Sequence, residues 1–412
     1  MLKEFLEESS IARKDFFIAF ILLFNAFVWN FMAPIIIGDL LSGLNVTYTQ
    51  TLIVWVGYYA GIIVSSIAGS ILSKKFSRVD FLYFWVIFGT VTSSLPALLS
   101  NLTVTNVVVI SVLLGVSFGL GMPSCLAYFA DHTLVENRGR ISGVTLLITN
   151  LSAPLFGILF GMFNLKVNSI IFTVWRGFGL TIFFLKPERK ITSRIEKNVS
   201  FLSILRNKPF ILYFVAWLMF CFIDRFERPI LRPFFGDFHF LILMIGPIIG
   251  SISAFIAGLL SDWVGRKRMV LYGFIALGIA YAVIGMASYT VVSWYFYVTI
   301  DGISTGILIV TFWLILWGDL SQPGTREKYY VIGEAPLFLT SIIQLFSVQY
   351  VKLIPASSAF SLASFFLFLA VLPLLYAPET LPQKKIELRR LRKYVEAARK
   401  VKEKSEEKGA KG

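Results

Sequence analysis

Asp301 stands about ten residues into a long apolar stretch, beside Gly302 and one turn from Ser304 and Thr305. A carboxyl at that depth costs roughly 2.5–3.5 kcal/mol on membrane-insertion scales, so a function for it is the first expectation. It suits a group that carries a coupling proton or holds a polar solute. The competing expectation is a structural partner for a buried arginine. Arg176, between Trp175 and Gly177 in another apolar stretch, suits an anionic solute or a counter-charge to Asp301. If its stretch is shifted, Arg176 lies at an interface instead. Asp224, Arg225, Glu227 and Arg228 close a further apolar run, with Asp224 and Arg228 spaced to pair on one helix face. Asp224 is expected in a cavity wall or outer gate, and the other three at a solvated helix end. Glu334 suits either a gate acid or an interfacial carboxylate at a helix N-terminus.

Neutral polar groups are embedded as well. Asn25 and Trp29 share a face, with Asn30 adjacent; Tyr58, Tyr59, Thr149, Asn150 and Gln344 occupy other apolar stretches. Amides supply donor and acceptor together, which suits hydroxyl-rich or amide-bearing solutes. They equally suit interhelical hydrogen bonds, worth about 0.6 kcal/mol on average. No nucleophile elbow, Walker loop or dinucleotide fingerprint occurs. His132 and His239 fall at opposite ends, and neither Cys125 nor Cys221 has a partner at ligand spacing. The expectation is no enzyme, no catalytic residue, no metal, and no cofactor beyond a coupling proton.

The elements that must position these groups are helices in lipid. The chain has 412 residues, 57% hydrophobic and only 15% charged, where soluble chains carry roughly a quarter charged residues. A span needs about 20 mostly apolar residues. Spans are expected at 16–37, 51–73, 81–100, 105–130, 141–163, 167–185, 209–228, 238–261, 269–288, 292–318, 330–352 and 357–377. This is an all-α integral membrane fold of twelve transmembrane helices in two pseudo-symmetric six-helix bundles. The N-terminal half covers 1–185, a linker 186–208, the C-terminal half 209–382 and a basic tail 383–412. No cleavable signal peptide is expected.

Alternate loops hold Lys74, Lys75, Arg78, Arg138, Arg140, Arg266, Lys267, Arg268, Arg326 and Lys328, and the linker adds seven Lys/Arg. The other loops hold Lys166, Lys352, the charged cluster at the top of span seven and little else. The bias places both termini in the cytoplasm, in a multi-pass plasma-membrane protein. The net charge of +14 includes +7 from the tail, which points to anionic lipid at the inner face and tail rather than nucleic acid. Asn45 and Asn101 head glycosylation triplets in expected outer loops. A monomer is expected.

The halves repeat. Gly115 and Gly119 match Gly302 and Gly306, Asp131 matches Asp319, and Arg140 with Gly143 is set against Arg326 with Gly333, at offsets between 186 and 190. Such weak repeats mark transporters built from two related halves. After span eight the chain reads GLLSDWVGRKR, from Gly258 to Arg268. Gly258 lets a neighbouring helix approach. Asp262 can face another helix's N-terminus. Gly265 permits a tight turn. Arg266, Lys267 and Arg268 keep the loop inside and can pair with acids at other helix ends.

This loop resembles the inner-loop signature of the major facilitator superfamily. GDLSQPGTREK around Asp319 and Arg326, and APETLP from Ala377, are similar to segments of its sugar and metabolite porters. The resemblance implies the major facilitator fold, alternating access, and a cavity lined mostly by spans 1, 4, 5, 7, 8, 10 and 11. It also implies an inner latch of Asp262, Arg266, Asp319 and Arg326. The first-half loop, SILSKKFSR, has Lys74 where the signature has its acid, so the second half is expected to bear more of the latch. Ser111 replaces an arginine that many members carry in span four. The implied function is secondary active transport of a small polar organic solute such as a sugar or organic acid, with proton coupling in view. A multidrug or cation exporter of the same fold, and a non-transporting solute sensor, are the alternatives.

Overall fold

The computed structural model describes residues 13–187, 199–351 and 353–381. The 383–412 tail, Lys352 and the linker residues Arg189, Lys190, Arg194 and Lys197 lie outside the described residues. Twelve helices are long and apolar enough to cross a membrane. In the first half these are α1 (Arg13–Ser42), α2 (Tyr48–Leu72), α3 (Arg78–Leu98), α4 (Val104–Asp131), α5 (Arg138–Met162) and α6 (Leu165–Leu185). In the second they are α7 (Lys208–Phe235), α8 (Phe238–Val264), α9 (Arg266–Met286), α10 (Val291–Leu320), α11 (Arg326–Val351) and α12 (Ala356–Tyr376). A short linker helix, Phe201–Leu205, precedes α7.

Five of the twelve helices start where the sequence supplies a side-chain cap. Thr47 and Gln50 form a capping box on α2. Ser77, Thr103, Asn164 and Asn207 cap α3, α4, α6 and α7 by accepting backbone N–H bonds from the first turn. These caps satisfy donors that lipid cannot. Two elements depart from the expected spans. The α-helical part of α6 ends at Phe178 and continues as a 3-10 helix over Gly179–Leu185. Helix α7 runs past residue 228 to Phe235, through Pro229 and Pro233. The charged run from Asp224 to Arg228 is therefore inside the helix and not at its end, and the expected solvated setting is corrected for buried Glu227, whereas Arg228 is exposed.

The sequence repeat has a packing cause. Gly115 and Gly119 of α4 lie against the backbone of α2 at Tyr58 and Ile62. Gly302 and Gly306 of α10 lie in the same way against α8, at Ile249 and Gly250. Without a side chain at these positions the backbones reach van der Waals contact. The offset between the halves grows from 187 at these glycines to 188 at Asp131 and Asp319. Helix α10 absorbs the extra residue as a π-helical turn over Val310–Leu316, a form that single insertions take inside helices.

Gly306→Leu is expected to lower the thermal unfolding midpoint of the detergent-solubilised chain. The added side chain meets the backbone of Gly250 and Ala254, and overpacking of this kind costs roughly 1–3 kcal/mol. Gly157, with nothing within 4 Å of a built Cβ, is the control, and Gly157→Ala is expected to cause no loss. Equal midpoints for the two variants would contradict the helix pairing.

Candidate functional site

The halves are tied by polar contacts at one end of the bundle, here the basic end. Asp262, fully buried at the C-terminal end of α8, accepts from the backbone N–H of Gly139 at 2.9 Å and of Arg140 at 2.8 Å. These are first-turn donors of α5, in the other half, and the helix dipole there favours an anion. Arg266 donates to Asp262 at 2.6 Å and to Asp319 at 3.2 Å, and to the backbone carbonyl of Val135 across the interface at 2.6 Å. Asp319 also accepts from Arg138 of the first half. Gly139 and Gly258 allow this approach, because a Cβ on either meets the other's backbone oxygen.

A second cluster mirrors the first. Arg78 pairs with Asp131, and with Glu327 of the second half at 2.6 Å. Arg326 crosses from the second half to Asp131. Three corrections follow. Arg326 belongs to this second cluster and not with Asp262, Arg266 and Asp319. The counterpart of Arg326 is Arg138, 188 residues earlier, and not Arg140, because Arg138 and Arg326 make reciprocal bonds to Asp319 and Asp131. Arg140 instead lies 3.6 Å from Asp262. Last, the first-half loop is a full partner in the latch. Lys74 cannot supply a carboxylate, but Glu327 in the first turn of α11 does.

The remaining signature residues hold the turn. Gly265 has φ 110°, which L side chains rarely adopt. Glu379, beyond α12, accepts from the N–H of Arg266 at 2.8 Å and of Lys267 at 3.2 Å. Lys267 donates through Nζ to the Leu375 carbonyl. Arg268 is exposed.

Deeper along the axis the halves meet through aromatic rings. Phe27 of α1 packs on Trp313 in the π turn, centroids 4.5 Å apart, and Phe118 of α4 on Phe338 of α11 at 6.2 Å. Glu334 is buried one to two turns from the ionic layer, within reach of the Trp313 indole N–H. The interfacial placement at the helix N-terminus is thus corrected.

Arg176, Asn25 and Trp29 come together, but inside the first half. Arg176 and Trp29 have no exposed surface, and Asn25 keeps only 2%. The Arg176 guanidinium lies 4.2 Å from the Trp85 ring centroid and 5.2 Å from Trp29, and donates to Asn25 Oδ1 at 2.9 Å. Gly89 makes the room, since a Cβ there falls 2.5 Å from Arg176 Nε. Asn25 donates to the Trp175 carbonyl at 2.6 Å, and Trp29 to Ser93 Oγ at 2.7 Å. These three residues line no open space in this conformation, against the cavity expectation. Arg176 is neither at an interface nor paired with a described carboxylate.

The second half carries the acids. Asp224 pairs with Arg228 at 3.0 Å and lies 3.8 Å from Arg225. Glu227, 8% exposed, accepts from the Tyr297 hydroxyl at 2.9 Å. Asp301 is half-buried within electrostatic reach of Asp224, Glu227 and Arg228. Both arginines neighbour Tyr59 of α2, so the cluster faces the first half. Asn30 accepts from Tyr58 at 3.1 Å, and Asn150 and Gln344 are half-buried on α5 and α11. Sequence reasoning missed Tyr297 and set Glu227 at a solvated helix end. The signal was present in the i,i+3 spacing of Asp224 and Glu227, masked by reading α7 as ending there.

Two six-helix bundles, locked at one end and presenting charged groups between them, define a membrane carrier. A family model described as Major Facilitator Superfamily matches residues 18–332, and the chain belongs to that family. Among solved structures it is similar to the human organic anion transporter MFSD10 (TETRAN), at 12% identity and TM-score 0.67 over 88% of this chain and 99% of that one. It is similar also to the proton:xylose symporter XylE bound to 6-bromo-6-deoxy-D-glucose, at 16% identity and TM-score 0.69 over 89% and 97%. No curated protein matches its sequence.

Removing one partner of a buried ion pair costs roughly 3–5 kcal/mol, so Asp262→Ala is expected to open the basic end. The reporter is a cysteine at the cross-half contact, Ala130→Cys, which is 1% exposed and faces Gly318. With Cys125→Ala and Cys221→Ala in the background, N-ethylmaleimide is expected to react at least tenfold faster once Asp262 is lost. Unchanged reactivity would remove Asp262 from the latch.

Proposed function

We propose that this chain is a secondary active transporter that moves a small polar organic solute, such as a sugar or organic acid, by alternating access. The basic end is its cytoplasmic side, both termini lie there, and it works as a monomer in the plasma membrane with anionic lipid against its basic face. In the conformation described, the cytoplasmic latch is closed. Transport requires the two ionic clusters to break as the opposite end closes.

Asp301 carries the reading. Arg228 bonds Asp224 at 3.0 Å and Arg225 lies 3.8 Å from it. Among the described residues neither Asp301 nor Glu227 has a cation within ion-pair distance, and Arg228 reaches both only through space. A carboxyl pair in that setting accepts a proton or a positively charged group. The arginines beside the pair neighbour Tyr59 of the first half, which lets the charge state of the pair bias which end is open. The arginines and the Tyr58–Asn30 pair offer donors and acceptors for hydroxyl or carboxylate groups. The likeness to XylE and to MFSD10 agrees with such a solute and does not choose between a sugar and an anion.

A thermal-shift screen of the purified chain across monosaccharides, hydroxy acids and lipophilic cations identifies the solute class, and a polar class is expected to stabilise. The stabilising solute is then followed in proteoliposomes. Asp301→Asn is expected to abolish uphill accumulation on an imposed proton gradient while leaving solute counterflow. Accumulation undiminished in Asp301→Asn excludes it as the coupling group. Stabilisation by lipophilic cations alone, lost in Asp301→Asn, would overturn the reading in favour of a cation exporter.

A further inference from the structure

The two flanks on which the halves meet differ at the outer end, opposite the latch. On one flank α5 and α8 pair closely at the basic end, where a Cβ on Gly143 meets the backbone of Ala254 and Phe255 at 3.0 Å. By helical spacing, Asn150, Pro154 and Gly157 continue the face of α5 that bears Gly143. Pro247 and Leu243 likewise continue the face of α8 that bears Ala254. Ala254 is 1% exposed, whereas Leu243 is 54% exposed and both prolines are exposed. A Cβ on Gly157 meets nothing within 4 Å among the described residues. The pairing therefore stops at the level of the prolines, and the outer segments of α5 and α8 stand apart. Pro154 and Pro247 lie inside their helices. Each removes an intrahelical hydrogen bond, and helices bend at such points.

The other flank is the reverse. At its outer end Tyr48 of α2 donates its hydroxyl to the Leu345 carbonyl of α11 at 2.8 Å, a bond between the halves. The capping box of Thr47 and Gln50 fixes the turn that bears Tyr48, and α2 contains no proline. The gap on this flank lies nearer the basic end. It is a crevice of about 320 Å³ whose walls include Ile63 and Ile67 of α2 and Val331 and Phe338 of α11. Equal rocking of two rigid halves would part both flanks at the outer end together. One flank parted and the other tied is the geometry of a hinge.

We infer that the outer end opens and closes on one flank only. Tyr48 is a strap that holds α2 to α11, and the segments of α5 and α8 beyond Pro154 and Pro247 are the moving gate. The outer path of the solute then runs between α5 and α8. This rests on alternating access and not on the identity of the solute.

Distances between nitroxide pairs, measured by double electron–electron resonance on the purified full chain, test both parts. All variants carry Cys125→Ala and Cys221→Ala. Ile158→Cys with Leu243→Cys reads the α5/α8 flank, and Ile53→Cys with Phe346→Cys the α2/α11 flank; all four positions are exposed. When Asp262→Ala opens the latch, the first pair is expected to shorten by several ångström and the second to keep its distance. In the latch-closed chain, Tyr48→Phe is expected to lengthen and broaden the second pair and leave the first unchanged. Tyr48 is 47% exposed and the variant keeps its ring, and melting curves establish that it is folded. The inference is overturned by equal shortening of both pairs, by a first pair that stays put once the Ala130→Cys reporter shows the basic end open, or by a second pair indifferent to Tyr48→Phe. The Tyr48→Phe measurement does not require the latch to open, so it decides on the strap even where Asp262→Ala leaves the basic end closed.

Discussion

Asp262 is one carboxylate that closes two structures at once. It caps the N-terminus of α5 across the interface, and it holds Arg266 of its own loop in place to reach Asp319. All three side chains are withdrawn from solvent. In that setting the pairing is all or none, because one missing partner leaves a buried charge uncompensated. The positions of Gly139, Gly258 and Gly265 become intelligible as the spacing this arrangement needs. The orientation of α5 against α8 at the basic end, and with it the closed state of the carrier, depends on it.

The second cluster ties the halves by different residues. Asp262 and Asp319 are met by Arg138, Arg140 and Arg266 in the first, and Asp131 and Glu327 by Arg78 and Arg326 in the second. The loss of an acid at Lys74 is offset on the opposite helix, where Glu327 sits in the first turn of α11 and favours its dipole. Pseudo-symmetry is therefore kept in the pairing of charges across the interface, not in aligned residue types. A reading by loop motif alone saw a missing acid, whereas Glu327 supplies one from the opposite helix.

Above the latch the halves diverge in chemistry. The first half buries a cation, Arg176, between indole rings with a single amide as acceptor. The second half gathers three carboxyls around Tyr297 and two arginines. One half thus offers a rigid, sealed polar core, and the other a group of titratable side chains turned toward its partner. Between them the π turn of α10 places Trp313 against Phe27, so the one-residue difference between the halves falls at the aromatic closure.

The twelve helices, their order and the repeat were legible in the chain, because apolar length, glycine spacing and caps are local properties that lipid enforces one helix at a time. The signature from Gly258 to Arg268 was legible for the same reason. Partnerships were not. Arg176 and Asp301 look alike in a one-dimensional reading, each an ion in an apolar span. Only packing sends one into a tryptophan cradle beside Gly89 and gathers the other with Asp224 and Glu227 in the second half. Glu227 looked like a helix end until α7 was seen to run on to Phe235, and Glu334 suited a gate acid or an interfacial carboxylate alike until packing buried it. Sequence determined which residues must lie in the membrane. The tertiary structure decided which charges find a partner there, because pairing depends on distances between helices far apart in the chain.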